Sequence, residues 1–244
     1  MIPDARLRFR IVLLALCGLG LSRLAWDSAL FTSADLRAVR VVRFAGDAPG
    51  PIGKTGNAGV FLGRSWVLTA AHVAQLHEPG EKLYIQAAGQ LIPARLVKAG
   101  NFDKTDVTLL EVSPGDVPRQ MRGLPLLAPC AHPSLPGTHM LVVEPGNIAY
   151  SVVVSADVLP PDVPGRFDSL IRDVDMTGNS GAALFDQDRG CLAGIMSARI
   201  DRFGPDGTGG RVKKPVAKYF VPAARIGLFL TEAGNGSWPP PASP

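Results

Sequence analysis

The sequence predicts an all-β chain: two six-stranded antiparallel β-barrels followed by a C-terminal helix. Three observations lead there. The 244 residues include 27 glycines and 22 prolines, a level that suits many short strands joined by turns better than long helices. Short apolar or alternating runs fall into two groups of about six, with a polar stretch between them, and each group can close into a small barrel. The last apolar run instead spaces its apolar residues on one helical face. The length fits one large domain, or two small ones packed as a unit.

The first segment, residues 1–24, reads as a targeting element. Arg6, Arg8 and Arg10 precede an apolar run from Ile11 to Leu21, ended by Ser22 and Arg23. That run is short for a bilayer span and suits the apolar region of a signal peptide. A cleaved signal, a short uncleaved anchor and a buried helix all remain open at this stage. Cys17 follows Leu16, where a lipoprotein cleavage box would carry a small residue, which argues against lipidation. Membrane contact is expected only if this segment is retained.

Residues 36–118 are expected to form the first barrel. Ala38–Phe44 alternates with period two and is rich in valine. Gly46–Gly56 is rich in turn residues. Gly59–Leu62 and Ser65–Thr69 read as a hairpin around Gly63-Arg64, and Ala70–Gln75 as one helical turn. Lys82–Gln86, Gln90–Lys98 and Asp106–Val112 complete the group. Ser113–Gly123, with Pro114 and Pro118, reads as the linker. Residues 119–232 supply the second barrel, through His139–Glu144, Tyr150–Ser155, Ser169–Val174, Ala182–Phe185, Cys191–Ser197 and Val216–Val221. Pro222–Glu232 opens on proline and carries a helical pattern. Residues 233–244 form a proline-rich tail expected to be mobile.

Composition narrows the function. The net charge is +4, part of it in the N-terminal arginines, and no basic run is dense enough to invoke nucleic acid. Cysteines and histidines lack paired ligand spacing, so neither a metal nor another cofactor is expected. An oxidising compartment would allow Cys130 and Cys191 to pair, and two small buried thiols are the equal alternative.

Three segments carry chemistry. A serine hydroxyl becomes nucleophilic when an imidazole takes its proton and a carboxylate fixes the imidazole tautomer. The oxyanion that follows needs backbone N–H donors. Gly178-Asn179-Ser180-Gly181 offers a serine on a glycine-flanked turn. Val67-Leu68-Thr69-Ala70-Ala71-His72 places a histidine after an apolar strand, behind two small alanines. Among the other histidines, His77 and His132 lie in turn or proline-rich loops and His139 opens a strand. Asp106 starts the apolar run Asp106-Val107-Thr108-Leu109-Leu110, 34 residues after His72.

Together these segments resemble those of the chymotrypsin-like (trypsin-like) serine peptidases. Val67–His72 is similar to that family's VLTAAH segment, and Asp106–Leu110 to its DIALL segment. Gly178–Leu184 resembles the serine segment in the GNSGG form of bacterial HtrA-type peptidases. Leu192–Ser197 resembles the LVGIVS strand that follows. The order His, Asp, Ser agrees, and the resemblance covers roughly residues 36–232. No PDZ-like segment follows residue 232. Ala182 stands where the family has a second glycine, which requires a negative φ there.

The resemblance implies a serine endopeptidase with its cleft between two barrels. His72 would be the general base, Asp106 its orienting carboxylate and Ser180 the nucleophile. The N–H groups of Gly178 and Ser180 would form the oxyanion hole. The backbone of Ser197, Ala198 and Arg199 would pair with extended substrate, the Ser197 hydroxyl would support Asp106, and Val174 and Asp175 would line the specificity pocket. Val174 at the floor position and Arg199 at the rim favour small, apolar or acidic P1 residues over Lys or Arg. In the trypsin resemblance an aspartate precedes the nucleophile and pairs with a newly cut N-terminal amine. Asn179 is neutral and cannot offset the burial of an ammonium, so it is expected to bond to nearby backbone, with no activation cleavage and any start from about residue 21 to 30 sufficient. The partner is a protein or peptide substrate, met outside the cytoplasm. A catalytically silent binding module on the same fold is the rival from another class. An α/β-hydrolase is excluded because no histidine follows Ser180.

Overall fold

The computed structural model describes residues 25–45, 57–75, 80–159, 169–172, 179–205, 211–234 and Trp238. Residues 25–37 form a helix, α1. β1 (Ala38–Ala45), β2 (Ala58–Gly63), β3 (Trp66–Thr69), β4 (Glu81–Ala87), β5 (Gln90–Ala99) and β6 (Thr108–Val112) close into one barrel, with the single-turn helix α2 (Ala71–Ala74) between β3 and β4. A short 3₁₀ turn (Pro114–Asp116) and α3 (Arg119–Arg122) occupy the expected linker. β7 (His139–Glu144), β8 (Asn147–Val154), β9 (Leu170–Arg172), β10 (Ala183–Asp186), β11 (Leu192–Pro205) and β12 (Arg211–Pro222) close the second barrel. Helix α4 (Ala223–Ala233) follows, with Pro222 at its N-cap.

The strand order is β1-β2-β3-β6-β5-β4 in the first barrel and β10-β11-β12-β9-β8-β7 in the second. Read from β7, the second repeats the order of the first, although the sequence carries no repeat. The pairings between these twelve strands are antiparallel. Period-two burial is plain in β4, where Leu83, Ile85 and Ala87 point inward. The β2–β3 hairpin turns at Gly63 and Arg64 as expected, and Arg64 accepts a left-handed φ of 57°.

Three elements depart from the sequence reading. The β11–β12 hairpin reaches far beyond Ser197 and Val216, out to Pro205 paired with Arg211. The sequence reading assigns no strand to its polar, glycine-containing arm, but antiparallel pairing satisfies the backbone there without needing apolar side chains. The tail was expected to be mobile throughout, yet Trp238 rests on Trp66 with ring centroids 5.9 Å apart. Cys130 and Cys191 are no departure: of the two readings left open for them the structure has the disulfide, with Cα atoms 5.1 Å apart.

Helix α1 is the third departure. Trp26, Leu30 and Ala34 recur every four residues on one face. Leu30 and Ala34 are buried. Trp26 donates its indole N–H to the Gln187 carbonyl at 3.4 Å, and a Cβ at Gly190 would meet its ring at 3.0 Å. Arg37 donates to the carbonyls of Phe61 (3.1 Å) and Pro125 (2.7 Å), and burial pushes its guanidinium down to about 10. The helix therefore ties the second barrel to the first and to Pro125, between the linker and β7. A chain that starts at residue 30 loses Trp26 and the first helical turn. It should be less stable than one starting at residue 24 by about 1–2 kcal/mol, read as a lower urea midpoint. Equal midpoints would show that the contact adds nothing. Among the described residues no helix is long and apolar enough to cross a membrane; the run Ile11–Leu21 lies outside them.

Candidate active site

β3 runs straight into α2, so His72 leaves the barrel rim on its first turn. The turn closes by Val73 N–H to the Ala70 carbonyl at 3.1 Å. Ala70 is fully buried and Ala71 nearly so, which lets the helix sit close against the sheet. His72 Nδ1 lies 2.9 Å from Asp106 Oδ1 and 3.1 Å from Oδ2. Its backbone N–H also donates to Oδ1, at 3.2 Å. A carboxylate is acceptor-only, so Nδ1 carries the proton and Nε2 holds the lone pair. Phe102 meets the imidazole edge-on at 5.2 Å.

Asp106 does not begin a strand as its apolar followers suggested. It sits two residues before β6 with a left-handed φ of 41°, a conformation aspartate tolerates better than most residues. The Asn101 carbonyl holds it there, accepting from the N–H groups of Lys104, Thr105 and Asp106 at 3.1, 2.8 and 2.8 Å. The side chain is fully buried. Besides His72, it accepts a short hydrogen bond from the Ser197 hydroxyl.

Ser180 lies on a tight turn between the barrels. Ala182 N–H donates to the Asn179 carbonyl at 2.9 Å, Gly181 N–H to Met196 O at 2.8 Å, and Ala58 N–H to Ser180 O at 3.0 Å. Gly181 has a φ of +87°. A Cβ there would stand 1.9 Å from the Ala58 carbonyl oxygen and 2.5 Å from Thr69 Oγ1, so only glycine fits. Ala182 is absent from the left-handed residues, which is why its methyl is accepted. The Ser180 hydroxyl donates to the Ser197 carbonyl at 3.1 Å, so among the described residues it does not bond to His72.

Ser197 occupies a bulge in β11, where the register jumps from Met196↔Phe220 to Ala198↔Tyr219. The extra residue turns both its hydroxyl and its carbonyl to use. Ala198 is half-buried. Arg199 pairs with Asp201 on its own strand, Nε to Oδ1 2.7 Å, an ion pair the sequence reading did not include. Gly178, Val174 and Asp175 lie outside the described residues. A cavity of about 470 Å³ opens beside His72, lined by Gln75, Leu96, Asn101 and Phe102 among others.

Two contributors escape a reading of motifs. Asn101 acts through its carbonyl, which any residue carries. Glu144, at the end of β7, accepts from Asn179 across 35 residues, a contact with no local signature.

The family model described as trypsin-like peptidase domain matches residues 56–195, more than half of the chain and all three of His72, Asp106 and Ser180. Among solved structures, the active form of the Rv3671c protease from M. tuberculosis is similar at 18% identity and a TM-score of 0.53, covering 84% of each chain. Its inactive form is 20% identical with a TM-score of 0.50, over 84% of this chain and 92% of that one. Kallikrein-related peptidase 10 in complex with Zn2+ is 20% identical with a TM-score of 0.55, over 82% of this chain and 95% of that one. At this identity the likeness is one of fold. No match is found among curated proteins.

Proposed function

Because the chain belongs to the trypsin-like peptidase domain family, we propose that it is a serine endopeptidase working through an acyl-enzyme on Ser180. The observation that carries this reading is a continuous set of contacts on Asp106. His72 approaches it through Nδ1 and the backbone, and Ser197 through its hydroxyl, while the Ser197 carbonyl holds the Ser180 hydroxyl. Nucleophile, base and orienting acid are thus linked across both barrels.

Rotation of the Ser180 side chain brings its hydroxyl to His72 Nε2. As Oγ bonds to the substrate carbonyl carbon, its proton passes to Nε2, and Asp106 stays ionised and stabilises the imidazolium. The N–H groups of Ser180 and Gly178 receive the oxyanion. Collapse breaks the C–N bond, and the leaving amine takes the proton from Nε2. Water then attacks the ester with His72 again as base, releasing the acid and restoring Ser180. An extended substrate lies along Ser197, Ala198 and Arg199, and Val174 and Asp175 are the residues proposed to select its P1 side chain. Arg199, with Asp201 beside it, narrows the entrance and favours small, apolar or acidic P1 residues. The disulfide supports work outside the cytoplasm, with the N-terminal segment cleaved or serving as an anchor.

The test is a peptide-library digest by enzyme from the exported fraction of expressing cells. We expect internal cuts after small, apolar or acidic residues, abolished by a fluorophosphonate recovered on Ser180. Cleavage that survives the reagent, or a label elsewhere, overturns the mechanism. Cuts after Lys or Arg overturn the specificity alone, and absence from the exported fraction overturns the location.

A further inference from the structure

We propose that Glu144 is a positioning residue for the nucleophile turn, supplying from within the chain the anionic anchor that holds the turn in its working shape. The inference rests on the serine mechanism above and deepens it.

Two hydrogen bonds converge on one carboxylate oxygen. Glu144 Oε2 accepts the backbone N–H of Asn179 at 3.0 Å and its side-chain Nδ2 at 2.7 Å. The other oxygen, Oε1, accepts Asn147 Nδ2 at 3.1 Å. Glu144 itself is fixed by position. It ends β7, paired with Asn147 across the turn at Pro145-Gly146, and Gly146 there has a left-handed φ of 79°. The carboxylate is therefore presented by a rigid hairpin end.

Asn179 is the residue before the nucleophile. Its peptide with Gly178 lies between the two N–H groups assigned to the oxyanion hole, those of Gly178 and Ser180. The peptide is planar, so holding the Asn179 N–H fixes the plane that leads into the nucleophile. Without an anchor the glycine at 178 would let that plane turn at little cost. Hydrogen bonds to an ionised acceptor are about twice as strong as neutral ones, which suits a partly exposed site. Where the sequence suggested a bond to nearby backbone, the amide of Asn179 donates to an acid carried by the opposite hairpin. An anchor of this kind is complete as soon as the barrel folds.

The two bonds can be separated. Asn179→Ala removes only the side-chain donor, whereas Glu144→Ala removes the acceptor of both. We expect kcat on a peptide substrate to fall roughly tenfold in Asn179→Ala and about a hundredfold in Glu144→Ala, somewhat below or at the loss of one oxyanion donor. KM should change by less than about threefold in each, since ground-state binding along β11 is untouched. The double variant should equal Glu144→Ala alone. Glu144→Gln keeps one carbonyl oxygen as a neutral acceptor, with bonds about half as strong, and should recover only part of the loss, to roughly tenfold below wild type. Rates of fluorophosphonate labelling should follow kcat. A wild-type protein that does not label overturns the serine mechanism and this inference together. A wild type that labels, beside a Glu144→Ala protein of wild-type or higher kcat, overturns this inference alone. So does a double variant that multiplies the two losses, or a Glu144→Gln protein as slow as Glu144→Ala.

Discussion

Replacing Ser180 by alanine should lower kcat about a millionfold, and His72→Ala should do the same. The double variant should be little worse than either. The reason is that each residue is useless without the other: an imidazole with no hydroxyl to activate, or a hydroxyl with no acceptor for its proton. Stability should barely move in Ser180→Ala and fall modestly in His72→Ala, which takes a donor from the buried Asp106 carboxylate. Among the described residues the Ser180 hydroxyl bonds to the Ser197 carbonyl, and His72 is about one-third exposed, at 30%. The other contacts that hold the turn, through backbone groups, Gly181 and the Asn179–Glu144 pair, are kept in both variants. Steady-state kinetics beside thermal melts separates the two effects. Additive losses in the double variant, or a Ser180→Ala protein with wild-type hydrolysis, would remove Ser180 from the mechanism.

Asp106→Asn should cost about ten thousandfold in kcat with the fold intact. Asparagine accepts the left-handed φ of 41° as readily as aspartate, and it fills the same space. It cannot, however, offer two acceptor oxygens. One of its two terminal atoms is an NH2 that must face either the His72 ring or the Ser197 hydroxyl. If it faces the ring, Nδ1 becomes the acceptor and Nε2 carries the proton, the wrong tautomer for a base. Asp106→Ala is the contrasting case. It leaves the Ser197 hydroxyl and the His72 N–H donors without an acceptor at a fully buried position, at about 1–3 kcal/mol per group. The alanine protein should therefore lose both stability and activity, the asparagine protein activity alone. A melt of Asp106→Asn as low as that of Asp106→Ala would show that the carboxylate mainly holds the fold.

The sequence disclosed most where chemistry is local. A histidine behind two alanines, a serine beside a glycine that must be left-handed and a carboxylate at the edge of an apolar run are each written in neighbouring residues. The twelve-strand pattern was legible for the same reason, since alternation and turn residues are short-range signals. What stayed hidden depends on distance or on backbone. Helix α1 carried its signal in the spacing of Trp26, Leu30 and Ala34, but its purpose lies in Gln187, Phe61 and Pro125. The outer half of the β11–β12 hairpin has a polar sequence and is held by main-chain pairing. Asp106 owes its conformation to the carbonyl of Asn101. Glu144 meets Asn179 only because β7 and the Ser180 turn end at the same rim.

The disulfide bears on how long such a protein survives among peptidases, its own copies included. Cys130 precedes β7 and Cys191 precedes β11, 61 residues apart, and Ser180 lies inside the loop they close. A cut at any peptide bond between the two cysteines leaves both pieces covalently joined. The severed ends stay at high effective concentration, and β7 remains beside β10 through its own pairing. Nicked protein would run as one band until reduced, then as two. Damage in this half of the chain is therefore contained, whereas a cut outside the loop, between His72 and Asp106 for example, has no bond to bridge it.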